Sequence, residues 1–392
     1  MASENQSAIQ RRVAQFQEYR EWASLAQQQT GKSLFTQLRE IKALRTFGGE
    51  CGISDYYWYK LYDDSYQQGR GARDYLGWCL QESFCTALNP RHAVLPAWDK
   101  ILFTQIATES GLPVAPVRAT YHRASRISLA LGIHLRSRQA VASYLRDQSN
   151  FPMFGKPSFS QQGYGTAYLK SYDAKTDSLQ QLNGGAISVD DFLIRLDQSI
   201  EPQYHKPECG FIFQDGFTLA PEIQALTNWT ALCGVRMMCL SGPEGVKPLR
   251  CFWKIAVPPN QVDNFSMGKY GNLLADIDPL TGEISRVLGG FWPKASILAE
   301  HPLSKKPFVG FKLPYWDQIM AACRLGGAVF PLLKIQHWDF ILTDKGPMIL
   351  ELNDIASSQA AQIHGHGLLT EEFRDFLKRY GNPKAHPWIK AL

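Results

Sequence analysis

The sequence predicts an α+β protein, and three observations carry that prediction. The first ninety residues are patterned as helices with few breakers. From Asp99 onward strands and helices are mixed. The regular strand–helix alternation that a doubly wound parallel sheet requires is missing. At 392 residues the chain is long enough for two or three packed units, each with its own core.

Taken in order, residues 7–82 read as helical. "SAIQRRVAQFQEYREWASLAQQQ" has few breakers, and "GKSLFTQLREIKALRTFGG" sets Leu34, Leu38, Ile41 and Leu44 on one face before two glycines end it. "SDYYWYKLYDD" spaces aromatics as a buried helical stripe does, and "PRHAVLPAW" reads as a linker. "DKILFTQIATESGLPVAPV" is a helix closed by Gly111 and followed by an extended, proline-rich exit. "SRQAVASYLRDQ" is a short helix, "FPMFGKPSF" a strand, and "SVDDFLIRLDQSI" an amphipathic helix with Ser188 as N-cap. Strands follow at "CGFIFQDGF", "GVRMMCLSG", "LRCFWKIAV" and "NLLADID". The helix "PYWDQIMAACRLGGAVF" then precedes a hairpin, "HWDFILTDKGPMILELND", and "TEEFRDFLKRYG" is the last helix.

Composition sets limits on function. Hydrophobic residues at 45% and charged residues at 20% describe an ordinary globular chain, and a net charge of +5 without a basic run gives no sign of nucleic-acid binding. The polar start does not read as a secretory signal, and no apolar run of 18 residues predicts a membrane span. Eight cysteines without a C-x-x-C pair read as reduced core thiols, which points to the cytoplasm.

The hairpin carries charge where a core is expected. If Asp344-Lys345-Gly346 is a three-residue loop, Thr343 faces Pro347, Ile341 faces Ile349, Asp339 faces Glu351 and His337 faces Asn353, all on one side. Phe340, Leu342, Met348, Leu350 and Leu352 then form an apolar face, and a slip of one residue would bury the carboxylates. Opposed carboxylates repel, and three things relieve them: a raised pKa, a basic partner or a bound cation. Asp339, Glu351 and the amide oxygen of Asn353 make a partial oxygen cage suited to magnesium, with a structural salt bridge as the alternative.

D-x(n)-E-x-N across a hairpin resembles the metal-binding end of ATP-grasp enzymes. More narrowly, the chain resembles the sugar-transfer-associated ATP-grasp family over residues 99–367, with a weaker helical match before. The pieces stand in the family's order: "DKILF…GLPV", "FGKPSFSQQGYG", "FIFQDGFTLAPEI", "GVRMM", "VDNFSMGKYG" and "HWDFILTDKGPMILELN". The resemblance implies an ATP-grasp fold of two α+β lobes gripping ATP: residues 96–210 as small lobe, 211–392 as large lobe with the metal hairpin, and 1–95 as a preceding helical region. It implies that Lys100 and Lys156 touch the nucleotide, and that the loop with Gly163 and Gly165 covers the triphosphate. Gln214 would meet adenine, Glu222 the ribose, Asn264 the phosphates, and Asp339, Glu351 and Asn353 two Mg2+ ions. Lys254 would touch the outer phosphates and Arg236 the reacting carboxyl. On residues alone, each has a plainer reading: a solvated charge for Lys100 and Glu222, a simple turn for Gly163 and Gly165, and a salt bridge for Arg236 and Lys254.

Departures fall on the substrate side. Lys269 stands where the family commonly has glycine, and "DIASSQAAQ" replaces a Pro-Gly after Asn353. His337 holds a place where related ligases carry an arginine, so its use there depends on protonation. His364 and His366 in "HGHG" read as loop histidines. The family's chemistry implies an ADP-forming carboxylate–amine ligase working through an acyl phosphate, with a small carboxylic acid and an amine as partners and a homodimer as a further expectation. A phosphotransferase acting on a hydroxyl and a non-catalytic ATP-binding module are the alternatives.

Overall fold

The computed structural model describes residues 2–68, 70–123, 131–160, 163–182, 184–202 and 208–392. The chain divides into two compact units, one of Met1–Pro90, Gly290–Ser296 and Ile355–Leu392, the other of Arg91–Gly289 and Ile297–Asp354. The first unit is therefore more than the helical region expected over 1–95. The segment Ile355–Leu392 returns to it, because Gln362 accepts the Leu76 and Leu368 amides at 2.8 and 3.0 Å and donates to the Leu76 carbonyl at 2.9 Å. Leu369 N–H also reaches the Asp74 carbonyl at 2.7 Å.

Within the first unit the predicted helical stretch is several pieces, among them Ala2–Thr30, Leu34–Leu44, Ile53–Trp58 and Asp64–Gln67. The stripe expected on Leu34–Leu44 is only half right: Ile41 and Leu44 are buried, whereas Leu34 and Leu38 are 54% and 53% exposed. Gln37 explains the rotation. Its buried amide donates to the Ala23 and Lys32 carbonyls at 3.1 and 3.0 Å and accepts the Tyr57 hydroxyl at 2.9 Å, so the inward row is Gln37, Ile41, Leu44. Tyr56, Tyr57, Tyr59 and Tyr62 are all core, as their spacing predicts. His364 is buried and His366 half-buried, so "HGHG" is packed rather than an open loop.

The second unit holds two sheets, each of seven strands among the described residues. The first comprises β1 (Val117–Tyr121), β2 (Ile133–Leu135), β3 (Met153–Pro157), β4 (Ala167–Asp173), β5 (Ser178–Gln181), β6 (Ala186–Ser188) and β7 (Phe211–Asp215), in the order β2-β1-β7-β3-β4-β5-β6. The helices Arg138–Leu145 and Val189–Ile200 cover it, and Ser188 caps the second as predicted. The second sheet comprises β8 (Gly234–Gly242), β9 (Gly245–Ile255), β10 (Leu273–Ile277), β11 (Ile284–Gly289), β12 (Ser296–Ile297), β13 (Ile335–Thr343) and β14 (Gly346–Asn353), in the order β12-β11-β10-β9-β8-β13-β14. Its core packs Trp253, Trp338, Phe340, Ile349 and Leu352 against Lys100–Glu109, Pro221–Thr227 and Trp316–Val329.

Two boundaries differ from those expected. β7 lies centrally in the first sheet, between β1 and β3, so the division expected at 210/211 falls after Asp215. "PRHAVLPAW" is folded into short turns with Val94 in the core, and the unit begins at Arg91.

The hairpin pairs His337 with Asn353 and Asp339 with Glu351, as the sequence requires, but the register then shifts. Phe340 faces Ile349, Ile341 faces Met348 and Thr343 faces Gly346, so the turn is Asp344-Lys345 and Leu350 is the extra residue of a bulge. Ile349, not Met348 or Leu350, therefore joins the core.

Candidate functional site

The site is built on β13, buried along its whole length between β8 and β14. Because Trp338, Phe340 and Leu342 point into the core, His337 and Asp339 share the opposite face. Ladder register sets Arg236 and Glu351 on either side of Asp339, and Met238 and Asn353 on either side of His337. Arg236 and Asp339 form a two-pronged ion pair, Nε to Oδ1 at 2.5 Å and Nη2 to Oδ2. Lys254, from β9, lies 3.8 Å from Asp339 Oδ2 and 3.7 Å from Asp263 Oδ2. Glu351 accepts from the Asn353 amide at 3.1 Å and lies 3.4 Å from Lys100 Nζ.

Two further lysines complete the group, one at a helix start and one on the first sheet. Lys100 opens a helix capped by Asp99, is 7% exposed, and donates to the Ser160 carbonyl at 2.7 Å. It is not a solvated helix-start charge. Lys156, on β3, donates at 2.9 Å to the carbonyl of Leu350, the residue of the bulge that has no partner on β13.

The charges shape one another. Burial alone would raise the Asp339 pKa, but Arg236 and Lys254 hold it below the usual carboxylate range. Burial pulls Lys254 down, yet Asp263 and then Asp339 more than offset this and its pKa stands above the ordinary lysine value. Burial, then Lys100, lowers Lys156 to about 8. Burial, then Arg236, lowers His337 to about 3, so it is neutral; its Nδ1 sits 3.1 Å from the Asn353 carbonyl and its buried Nε2 has no hydrogen-bond partner among the described residues. A neutral imidazole cannot replace the charge of an arginine at that place.

The opposed carboxylates are thus relieved by basic partners: Arg236 and Lys254 for Asp339, Lys100 for Glu351. Among the described residues no three His, Cys, Asp or Glu side chains gather as a ready metal cage. The donor set still fits magnesium, which takes only one or two protein carboxylates and completes its shell with water and phosphate oxygens. The Asn353 amide nitrogen is turned to Glu351, which leaves its oxygen for such an ion.

The remaining predicted residues are more dispersed. Gly163 and Gly165 both have positive φ, 75° and 73°; a Cβ on Gly165 would lie 2.7 Å from Ser199 and 2.8 Å from Pro157, so only glycine fits. Gln161 and Gln162 of the same loop lie outside the described residues. Gln214 is buried on β7 and donates to the Ala115 carbonyl at 2.9 Å. Asn264 is half-buried, and its carbonyl accepts from Asn272 at 2.9 Å. Glu222 is not brought to the cluster: it is exposed and lines a hollow with Lys312, Tyr315 and Gln318 that includes none of the charged group. Lys269 is exposed, its ammonium 5.5 Å from the Tyr270 ring. The sequence reading missed Asp263 and the Leu350 carbonyl. The signal for Asp263 was its place beside Asn264 in "VDNF", but nothing local marks it as Lys254's partner.

A sequence model of the sugar-transfer associated ATP-grasp family matches residues 80–376. The chain belongs to this family. Its fold is accordingly ATP-grasp, as the order of motifs implied. Solved structures similar to this ATP-grasp chain include an L-amino acid ligase from Bacillus licheniformis, at 11% identity and TM-score 0.35, covering 68% of this chain and 44% of that one. D-Alanine-D-alanine ligase from Helicobacter pylori shows 13% identity and TM-score 0.41 over 78% of this chain and 64% of that one. D-Alanyl-alanine synthetase A from Vibrio cholerae shows 9% and 0.42 over 74% and 67%. The chain thus spans less than two thirds of the first two. No curated protein matches the sequence. No helix among the described residues is long and apolar enough to cross a membrane.

Proposed function

We propose that this ATP-grasp protein is an ATP-dependent, ADP-forming carboxylate–amine ligase that works through an acyl phosphate. The observation that carries the reading is the convergence of Lys100, Arg236 and Lys254 on the row formed by Asp339 and Glu351, with Lys156 beside it on the Leu350 carbonyl. Such a cluster offers positioning and charge neutralisation rather than a nucleophile, which is what phosphoryl transfer needs. The family match supports a nucleotide as the anion.

In this reading Lys100 and Lys156 hold the inner phosphates, Lys254 the outer ones, and Arg236 the substrate carboxylate. Gln214 faces adenine, and Asn264 and the glycines at 163 and 165 lie over the phosphates, while Glu222, exposed at its own hollow, would meet the ribose only if the nucleotide reached it. Magnesium bound by Asp339, Glu351 and the Asn353 oxygen would supply neutralisation across the phosphate oxygens. A substrate carboxylate oxygen attacks the γ-phosphorus, and the bond to the bridging oxygen breaks with its electron pair leaving on ADP. The amine then attacks the acyl carbon, inorganic phosphate departs with the C–O electron pair, and the nitrogen's proton passes to solvent. His337, being neutral, orients by hydrogen bonding rather than by charge.

The test mixes the protein with ATP, magnesium, candidate acids and candidate amines. One ADP and one inorganic phosphate are expected per amide formed, with turnover reduced at least a hundredfold in Glu351→Ala. A stable phosphorylated product without free phosphate would establish the phosphotransferase instead. Full turnover in the Glu351 variant would remove that residue from the site.

A further inference from the structure

Asp263 belongs to no motif role given above, yet it is the carboxylate nearest to Lys254. It lies in the loop of residues 256–272, between β9 and β10. Asn272, 1% exposed, knits that loop: its oxygen accepts Val257 N–H at 3.1 Å and the Asn260 amide at 2.8 Å, and its nitrogen donates to the Val262 and Asn264 carbonyls at 2.8 and 2.9 Å. Those last two carbonyls flank Asp263 in sequence, so its backbone is held from both sides. Its carboxylate is also fixed, accepting Gly234 N–H at 2.6 Å from the start of β8. A Cβ on Gly234 would stand 2.9 Å from that oxygen and 3.3 Å from the Lys254 side chain, so the approach requires glycine.

Lysine is a point charge on a flexible four-carbon stem, and a buried one needs a counter-charge to stay in place. Lys254 has two, but they are unequal in use. Asp339 is engaged by Arg236 and is the carboxylate that the ligase reading assigns to magnesium, whereas Asp263 accepts a backbone N–H and forms its ion pair with Lys254, acting on Arg236 only through the longer-range field.

We propose that Asp263 is a positioning residue that acts through Lys254, fixing the ammonium where the terminal phosphate of the nucleotide is recognised and so setting the preference for ATP over ADP. The inference rests on the ATP-site reading and adds to it the source of triphosphate selectivity.

The test is calorimetric titration of the full-length protein with ATP and with ADP, each in excess magnesium. Asp263→Asn keeps an oxygen for Gly234 N–H and removes the charge. The ratio of ATP to ADP affinity is expected to fall about tenfold, with ADP affinity and the melting temperature unchanged. Lys254→Met is expected to lower the ratio by a similar factor, and Asp263→Asn added to it to lower it no further, because the acid acts through the lysine. Gly234→Ala, which crowds the same contact, should lower the ratio in the same direction. An unchanged ratio in Asp263→Asn, additive losses in the double variant, or parallel loss of both nucleotides with the melting temperature would overturn the assignment. Should Asp263→Asn fail to fold, an ATP-to-ADP ratio in Lys254→Met equal to that of the unaltered protein would overturn it too. If the unaltered protein bound neither nucleotide, the ATP-site reading itself would fall.

Discussion

Lys156 sits where three influences meet: burial, the neighbouring positive charge of Lys100, and a carbonyl offered by Leu350. Its pKa of about 8 places its titration within easy experimental reach. An anion prefers the charged amine, so binding above pH 8 must draw a proton from solvent. MgATP affinity is therefore expected to be flat from pH 6.5 to 7.5 and to fall by up to about tenfold per pH unit above 8. Lys156→Arg, which stays charged, should abolish the fall, and titration calorimetry across the range checks both. A flat profile to pH 9.5 in the unaltered protein would contradict a depressed Lys156 amine in contact with the nucleotide. At this scale sequence was informative in part. A cation inside an apolar strand, such as Arg236, announces a buried anion, and Asp339 supplies it. Asp263 gave no such sign, since its partners are assigned only by where a loop folds back.

The hairpin shows what element patterns can and cannot say. Alternation against a core makes any slip at Asp339 and Glu351 costly, so their opposition was legible from the sequence. The bulge was not, because "MILEL" is apolar at Met348, Ile349 and Leu350 alike and fits either register. The short polar strands β4 to β6 were missed for a related reason: "YLKSYDAKTDSLQQ" offers little hydrophobic period to read. Deleting Leu350 tests the bulge directly. The shortened β14 would pair Ile349 with Phe340 and Glu351 with Asp339 in unbroken alternation, so the fold and melting temperature should persist. The deletion takes away the carbonyl to which the buried Lys156 donates, and MgATP affinity is expected to drop at least tenfold. Unchanged affinity would show the bulge to be irrelevant to binding.

The chain as a whole interleaves its two units, and composition does not reveal this. The first unit is completed by residues 355–392: Phe373 packs edge-on against Phe84 with ring centroids 6.0 Å apart, and Arg374 donates to the Arg73 carbonyl at 2.6 Å. Phe373 and Leu377 are fully buried there, worth about 1.5–3 kcal/mol each. A chain ending at Asp354 should lose more helical circular dichroism than the removed helices account for, and residues 30–90 should become open to protease. Full protection of that segment in the truncated chain would contradict the division.

One feature of the second unit reaches beyond equilibrium. The row Arg236, Asp339, Glu351 is drawn from three strands, and its ion pair joins residues 103 positions apart. Contacts of such long sequence separation close slowly, since much intervening chain must be ordered first. Recovery of the charged row after denaturation is therefore expected to lag behind helix formation, so that an assay reading it would time the completion of folding rather than its onset.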